Sequence, residues 1–212
     1  MSGTTEVIAW EDQSGNDNHL SPSLGNEPSL ELSVVNSLPA ISSYGLPNAL
    51  LETVDALPDL STGGTVFLVA KQSTVDGATN FDIGGVFVGA GSLNMLQIQR
   101  GNTNTGSLHS IRGGIDAAAY AITGDEVEED TFVLICLRND GTDNFISVND
   151  GVETTAVAGN GSYVGTSLSV FNTLSGVVGN KQIAEILIYT EELSSGDISD
   201  IKDILNDKYN LY

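Results

Sequence analysis

Two short apolar runs in the middle of the chain constrain its fold more than any other feature. Residues 65–71 follow Gly63 and Gly64 and end at a polar stretch, and residues 131–137 form a second run that contains Cys136. Both runs are shorter than a packed helix and rich in β-branched and aromatic residues, which is typical of strands in the centre of a β-sandwich. The pattern predicts a sandwich core in which Cys136 is a small buried residue.

Turn signals divide the rest of the chain into short segments. Residues 139–143 and 149–151 combine Asn, Asp and Gly, which tolerate the left-handed torsions of tight hairpins. Further strands are predicted at 7–10, 85–88, 94–100, 107–112, 144–148, 153–157, 167–171 and 183–189, with short strands and long connections in region 20–64. The 212 residues are expected to form one domain, residues 1–212.

The periodicity changes after Tyr189. Apolar residues then recur at helical spacing, and Ser194 with Asp197 three positions later matches a helix-capping pair. We therefore expect a short C-terminal α-helix that covers the sandwich. Its apolar face is predicted to consist of Ile198, Ile201, Ile204, Leu205 and Tyr209.

The two ends of the chain carry a pair of motifs. A W-x-D-x-S-G-N-x-N-H pattern near the start consists of Trp10, Asp12, Ser14, Gly15, Asn16, Asn18 and His19. Near the end, the sequence I-A-E-I-L-I-Y includes Ala184, Glu185 and Tyr189. Together the motifs resemble the concanavalin A-like lectin/glucanase superfamily, in its laminin-G-like modules. The resemblance implies an all-β jelly-roll sandwich of two antiparallel sheets with a short C-terminal α-helix, in which these residues are scaffold.

The resemblance also implies a strand that this sequence lacks. Family members place a strand before the tryptophan motif, and it pairs near the strand with the I-A-E-x-L-I-Y motif, whereas only six residues precede Val7 here. We expect an open edge beside residues 183–189, covered by residues 1–6, by a neighbouring subunit or by a fold-back of region 20–64. A neighbouring subunit would mean a homo-oligomer or docking on a coat or tail protein of a virion.

The formal net charge of −21 restricts the partners of the chain. Twenty-eight acidic residues face seven basic ones, so phosphate backbones and anionic membrane surfaces are repelled, and neither nucleic acid nor membrane is an expected partner. The first residues also lack the basic and apolar segments of a signal peptide. The charge suits a saline habitat, where salt screens it, and equally suits a protein that needs only solubility.

The sequence does not predict an enzyme. Glycoside hydrolysis needs two positioned carboxylates, and the nearest acidic stretch, residues 124–130 with Glu126 and Glu128, has contiguous charges and is expected to be a solvated loop that precedes a strand. A serine triad is poorly supported, because the two histidines, His19 and His109, lie in strand or scaffold motifs and no nucleophile elbow is present.

Calcium is the one cofactor that the sequence leaves open. Asp140, Asp143 and Asn144 offer hard oxygen ligands in one loop, and Asp12 with Asp17 offers a second set. Ordinary Asn and Asp turn chemistry explains both sets equally well.

One polar strand is a candidate glycan site. Its hydrogen-bonding residues are Gln97, Gln99, Arg100, Asn102 and Asn104. Such groups bind sugar hydroxyls in pairs, but no aromatic residue is close in sequence to stack on a sugar ring, and a solvated strand explains the same pattern.

These observations favour a non-enzymatic structural or decorating protein on the surface of a virus particle, as a phage capsid decoration, fibre or tail component, with host glycans as candidate ligands. The absence of an export signal and the incomplete first edge carry this interpretation. The alternative is a free-standing carbohydrate-binding, lectin-like module of a bacterial extracellular or surface protein.

Overall fold

The computed structural model describes residues 5–22, 25–44, 49–60, 62–72, 86–90, 97–105, 108–115, 121–128, 130–157, 167–171 and 181–212. The described chain forms two antiparallel sheets and a C-terminal helix. The all-β sandwich that the sequence predicts is confirmed.

One sheet contains eight of the described strands. In spatial order they are β1 (Thr5–Glu6), β3 (Ser29–Val35), β4 (Leu38–Ser42), β15 (Lys181–Tyr189), β6 (Gly64–Gln72), β11 (Val133–Asn139), β12 (Asp143–Val148) and β13 (Thr154–Val157). The two apolar runs of the sequence become β6 and β11, which pair along their whole lengths near the centre of this eight-stranded sheet. Their apolar residues are buried on both faces because the other sheet covers one face and the helix covers the other.

The second sheet contains seven described strands. In spatial order they are β10 (Ala121–Glu128), β9 (Leu108–Gly114), β8 (Gln97–Thr105), β7 (Val86–Ala90), β14 (Ser167–Val170), β5 (Leu51–Ala56) and β2 (Leu20–Pro22). Where the structure describes them, the predicted strands occur with boundaries shifted by a few residues, apart from 7–10, and residues 85, 94–96 and 107 of the predicted strands lie outside the described residues. There the backbone of Trp10 forms an isolated bridge to Leu20, and the preceding pair Thr5–Glu6 forms β1.

Residues 124–128 of the acidic stretch belong to a strand and not to the solvated loop that the sequence predicts. Glu126 and Glu128 belong to β10, which pairs with β9 at the edge of the seven-stranded sheet. Val127 of this strand packs against the core between the sheets, and Glu128 is exposed. An edge strand tolerates charge because one of its sides faces solvent, and charge there discourages pairing with another chain.

The strand with the I-A-E-I-L-I-Y motif is an interior strand of the described sheet. Of the three covers predicted for the edge beside residues 183–189, the structure shows the fold-back of region 20–64. β15 lies between β6 and β4, and β4 pairs with it at Gln182 and Ile183. β4 forms a hairpin with β3, with Asn36 and Ser37 at the turn in left-handed torsions. The fold-back of region 20–64 therefore supplies the neighbouring strand within one chain.

The helix α1 (Ser195–Tyr209) packs on the outer face of the eight-stranded sheet. It buries Ile198, Leu205 and Tyr209 there, in a second apolar cluster that includes Cys136 and Phe67. Burial raises the pKa of the Cys136 thiol to about 12, so it is an inert core residue as predicted.

Ile204 is the exception to the predicted helix face, because it is 64% exposed. A step of 100° per residue aligns positions 198, 201, 205 and 209 and places position 204 outside that stripe.

Two buried asparagines connect the sheets. Asn144 Oδ1 accepts hydrogen bonds from Ile115 N, at 2.8 Å, and from Asn139 Nδ2, at 3.1 Å. Asn139 Nδ2 also donates to Ile115 O at 3.2 Å. Ile115 directly follows β9, whereas the asparagines belong to β11 and β12, so this polar contact fixes how the two sheets sit on each other.

Candidate functional site

An open cleft lies between the first half of α1 and the outer face of the eight-stranded sheet, and we call it the helix cleft. Its volume is about 800 Å³. Its lining combines four carboxylates, two cations, three serine hydroxyls at the start of the helix and one tyrosine ring. Leu193 and Ile198 add an apolar part.

Two hydrogen bonds hold the residues just before the helix against the sheet. Thr65 Oγ1 accepts from Leu193 N and donates to Glu191 O, both at 3.1 Å. Gly63 permits this approach, because its φ is +154° and a Cβ atom there would lie 3.3 Å from Glu192 N. The predicted helix cap is confirmed, since Ser194 Oγ accepts from Asp197 N.

Arg138 forms one wall of the helix cleft and is held on three sides. Its Nε and Nη2 donate to the two carboxylate oxygens of Glu153 at 3.1 and 2.8 Å, and its Nη1 donates to Glu192 at 2.6 Å. Its guanidinium carbon lies 3.6 Å from the centroid of the Phe145 ring. The hydrogen bonds with Glu153 raise the pKa of Arg138 further. A side chain with this many contacts presents fixed hydrogen-bonding partners to a ligand.

Lys202 projects from the helix onto the sheet. Its Nζ donates to Ser147 Oγ at 2.8 Å, and Ser147 is itself buried. The backbone of Ser147 pairs with Cys136 on β11, so the ammonium lies where the apolar cluster under the helix ends. Sequence analysis missed this contact because it joins residues 55 positions apart and no local motif marks it.

Tyr212 contributes the aromatic surface of the helix cleft. Asn206 Oδ1 accepts from Leu211 N and Tyr212 N, both at 3.0 Å, so the backbone at this end of the chain is anchored to the helix. The tyrosine remains 46% exposed. Burial, followed by the negative charges of Asp150 and Asp203, raises the pKa of its phenol, which stays neutral at physiological pH.

These groups suit a hydroxyl-rich ligand. Carboxylates accept from hydroxyl groups, an ammonium donates to them, and a half-exposed tyrosine ring can stack on the C–H face of a sugar. Sequence analysis did not identify any of these lining residues as a candidate site.

The candidate ligand residues of the sequence lie elsewhere. Gln97, Gln99, Arg100, Asn102 and Asn104 all belong to β8 of the seven-stranded sheet, with a register shift between Arg100 and Asn104. The structure thus places them on one strand, on the sheet opposite the one that bears the helix cleft. Their role in ligand binding stays a prediction.

The loop that offers Asp140, Asp143 and Asn144 for calcium does not gather all three at the surface. Asp140 Oδ1 accepts from Thr142 N at 2.8 Å and Asp143 N at 2.7 Å, and these bonds lower the pKa of Asp140. Asn144, by contrast, is buried and uses its oxygen between the sheets. Within the described ranges, no three His, Cys, Asp or Glu side chains come close enough to hold a metal ion. Calcium binding here stays a prediction.

The tryptophan motif forms a loop whose polar groups bind one another. Asp12 accepts from Ser14 N and Ser14 Oγ, each at 2.8 Å, and from Asn18 N at 3.0 Å, and Asp12 N donates to His19 Nδ1 at 3.0 Å. Ser14 Oγ accepts from Asn16, and Gly15 adopts a φ of +85°. Asp17, the other member of the second calcium set, lies 3.7 Å from His19 Nε2. The polar groups of this loop hydrogen-bond within the loop itself, as expected of a scaffold.

A buried row of polar residues crosses one end of the eight-stranded sheet. Lys181 on β15 pairs with Gln72 on β6, and its backbone exchanges hydrogen bonds with Ser43 at the end of β4. Lys181 is 1% exposed, and burial lowers its pKa to about 7. Both polar atoms of the Gln72 carboxamide are buried without a hydrogen-bond partner.

Comparison with known proteins gives structural neighbours alone. No family model matches the chain, and no curated protein matches it. Among solved structures, the binding domain of Paraclostridial Mosquitocidal Protein 1 superposes with a TM-score of 0.67 at 10% identity, over 95% of this chain and 51% of that one. The binding domain of botulinum neurotoxin serotype G gives a TM-score of 0.58 at 9% identity, over 95% and 51%.

Two neighbours of other kinds share the fold. A heptameric SAP-like pentraxin from Limulus polyphemus gives a TM-score of 0.56 at 13% identity, over 72% of this chain and 75% of that one. A GH54 α-L-arabinofuranosidase gives 0.63 at 14% identity, over 94% and 50%. The chain therefore spans about half the length of most of these neighbours. At such identities the likeness establishes a jelly-roll-like β-sandwich and no more.

Among the residues that the structure describes, no helix combines the length and apolarity that crossing a membrane requires.

Proposed function

We propose that this domain is a non-enzymatic recognition domain that binds a glycan in the helix cleft. The observation that carries the proposal is the fixed polar wall around Arg138, next to an exposed tyrosine ring in a cleft of about 800 Å³. Polar groups that are already held in place lose little conformational entropy when a ligand arrives, so they favour specific binding.

The chemistry of the helix cleft supports binding over hydrolysis. A glycosidase needs one carboxyl group that donates a proton and a second carboxylate that attacks or activates water. Glu153 accepts hydrogen bonds from Arg138 through both carboxylate oxygens, and Glu192 accepts one from Arg138, so these carboxylates are oriented toward the guanidinium and not toward a glycosidic bond. One glycoside hydrolase among the structural neighbours shares the fold without making this chain an enzyme.

The structural neighbours support the proposal by analogy. Several are described as binding domains, and a structure of botulinum neurotoxin type C at a TM-score of 0.57 and 9% identity is described in terms of its interaction with two ganglioside molecules. A fold used for cell-surface recognition in those proteins is compatible with the same use here.

The surface of a virus particle stays our prediction for where the domain works, and an extracellular or cell-surface protein is the alternative. The net charge of −21 suits either placement. A mass-spectrometric inventory of purified particles from the source of the sequence tests the first placement: the chain must be present in stoichiometric amounts.

Binding of the purified domain to a glycan array, followed by calorimetry on the retained glycans, tests the proposed function. We expect Tyr212→Ala to weaken binding about tenfold, which corresponds to the loss of one stacking contact. The matched control is Tyr44→Ala, because Tyr44 is 63% exposed and outside the cleft lining.

Three results would count against this site. An array that retains no glycan, or equal binding by both tyrosine variants, removes the helix cleft as the glycan site. A loss of binding in Gln99→Ala instead would move the site to β8.

A further inference from the structure

Lys202 is an unusual cation in this chain. Twenty-eight acidic residues accompany only seven basic ones, yet among the described residues the Lys202 ammonium forms an ion pair with no carboxylate and donates to the neutral Ser147 hydroxyl. An ammonium has three donors, and the hydrogen bond to Ser147 uses one of them. Lys202 belongs to the lining of the helix cleft.

The carboxylates of the same cleft fall into two groups. Glu153 and Glu192 are engaged by Arg138. Asp150 and Asp203 belong to the lining near Tyr212, where their charges act on the phenol. The groups left for a ligand are therefore one ammonium donor and two carboxylate acceptors.

On the basis of the proposed function, we propose that the helix cleft selects neutral over acidic glycans, with Lys202 donating to one sugar hydroxyl and Asp150 and Asp203 accepting from others. A hydroxyl group is both donor and acceptor, so it is compatible with both kinds of lining group. The lining as a whole carries four acidic side chains and two basic ones.

Acidic sugars are disfavoured by the charge of the site. The carboxylate of an acidic sugar meets an excess of negative lining charge and the field of a chain with net charge −21. The same excess attracts the ammonium of an amino sugar, and Lys202 is a lining cation that opposes this attraction.

Calorimetry with oligosaccharides that share a backbone and differ in charge tests the proposal. The probes are hexamers of glucose, glucosamine and glucuronic acid, with the corresponding galactose series, each titrated at low and at physiological salt. We expect the neutral member to bind at least tenfold more tightly than the acidic member. We also expect added salt to reduce this gap, since screening weakens the repulsion of the acidic sugar.

Variants of Lys202 separate recognition from structure. Lys202→Met should weaken neutral binding about tenfold and at the same time strengthen binding of the glucosamine hexamer, because the like charge is removed. Lys202→Gln keeps a donor for the sugar and for Ser147 and should retain most of the neutral affinity. Lys208→Met is the control, because Lys208 lies on the same helix, pairs with Glu185 and is outside the cleft lining.

The failures of this inference and of the proposed function differ. If glycans bind but the acidic member binds as tightly as the neutral one, or if Lys202→Met leaves the neutral affinity unchanged, the selection of neutral over acidic glycans is refuted and glycan binding stands. If none of the probes binds, the proposed function falls and the selectivity falls with it.

Discussion

Lys181 offers the sharpest test of the structure, because its burial has a consequence for stability that can be worked out in advance. The residue is 1% exposed at the end of β15, and burial lowers its pKa from 10.5 to about 7. Between these two values the unfolded chain holds a proton that the folded chain has lost. Rising pH therefore favours the folded state throughout this window.

The size of the effect follows from the two pKa values. Burial of this lysine costs roughly 4 kcal/mol at pH 7 and roughly 2 kcal/mol at pH 9, since one unit of pKa corresponds to about 1.4 kcal/mol. Lys181→Met keeps a side chain of similar length and removes the titration. The stability advantage of the variant over the original chain should therefore shrink by roughly 2 kcal/mol from pH 7 to pH 9.

Urea unfolding at both pH values, followed by the fluorescence of the single tryptophan, measures this change. Other groups that titrate near pH 9, such as Cys136 in the unfolded chain, are common to both proteins and cancel in the comparison. Lys71→Met is the matched control, because Lys71 lies on the neighbouring strand with its ammonium over the Phe132 ring and is only half-buried. An advantage of Lys181→Met that is the same at pH 7 and pH 9 would refute the reasoning.

Three further predictions follow from the packing and from the strand assignments. Leu205→Asp should destabilise the domain by roughly 3–5 kcal/mol, because it buries an unpaired charge under the helix. Its control, Ile204→Asp on the exposed side of the helix, should change the melting temperature little. Equal effects of the two substitutions would show that the helix does not pack as described. Asn144→Ala should cost roughly 1–3 kcal/mol in denaturant unfolding, because it removes the acceptor of the buried Ile115 N–H and one of the two hydrogen bonds of Asn139 Nδ2. An unchanged midpoint would contradict the buried link between the sheets. No reducing sugar should be released from laminarin, agar or alginate, and turnover that disappears in Glu126→Gln or Glu128→Gln would make the protein a hydrolase.

The parts of the fold that the sequence predicted well are those set by local chemistry. The runs at 65–71 and 131–137 were recognisable because every second residue faces one core and the residues between them face another. The cap at Ser194 was recognisable because a hydroxyl three residues before a carboxylate satisfies the first helical N–H groups. Both signals lie within one element, so no knowledge of the partner elements was needed.

The parts that the sequence did not predict depend on the order of strands. Whether β15 is an edge or an interior strand depends on the hairpin of β3 and β4, which precedes it by more than a hundred residues. Whether Glu126 and Glu128 can belong to a strand depends on that strand lying at an edge, where charge is tolerated. Composition and periodicity do not encode these long-range choices.

The helix cleft can be understood from where the outer apolar cluster stops. Phe67, Leu134 and Cys136 lie under α1 and are buried, and on the next strand the pairing partner of Cys136 is Ser147. Two pairs further along, Arg138 stacks on Phe145 at the margin of the helix. The sheet thus changes from apolar to polar where helical cover ends.

A polar side chain in that position is neither in the core nor freely solvated, and hydrogen bonds with fixed partners stabilise it most. Arg138 finds them in two carboxylates, and Lys202 finds one in a buried hydroxyl. The difference between these two cations is the reason to assign them different roles. Arg138, which is held by two carboxylates, shapes the wall of the helix cleft, and Lys202, which has a neutral hydroxyl as its partner, is the cation that we propose to bind a neutral sugar.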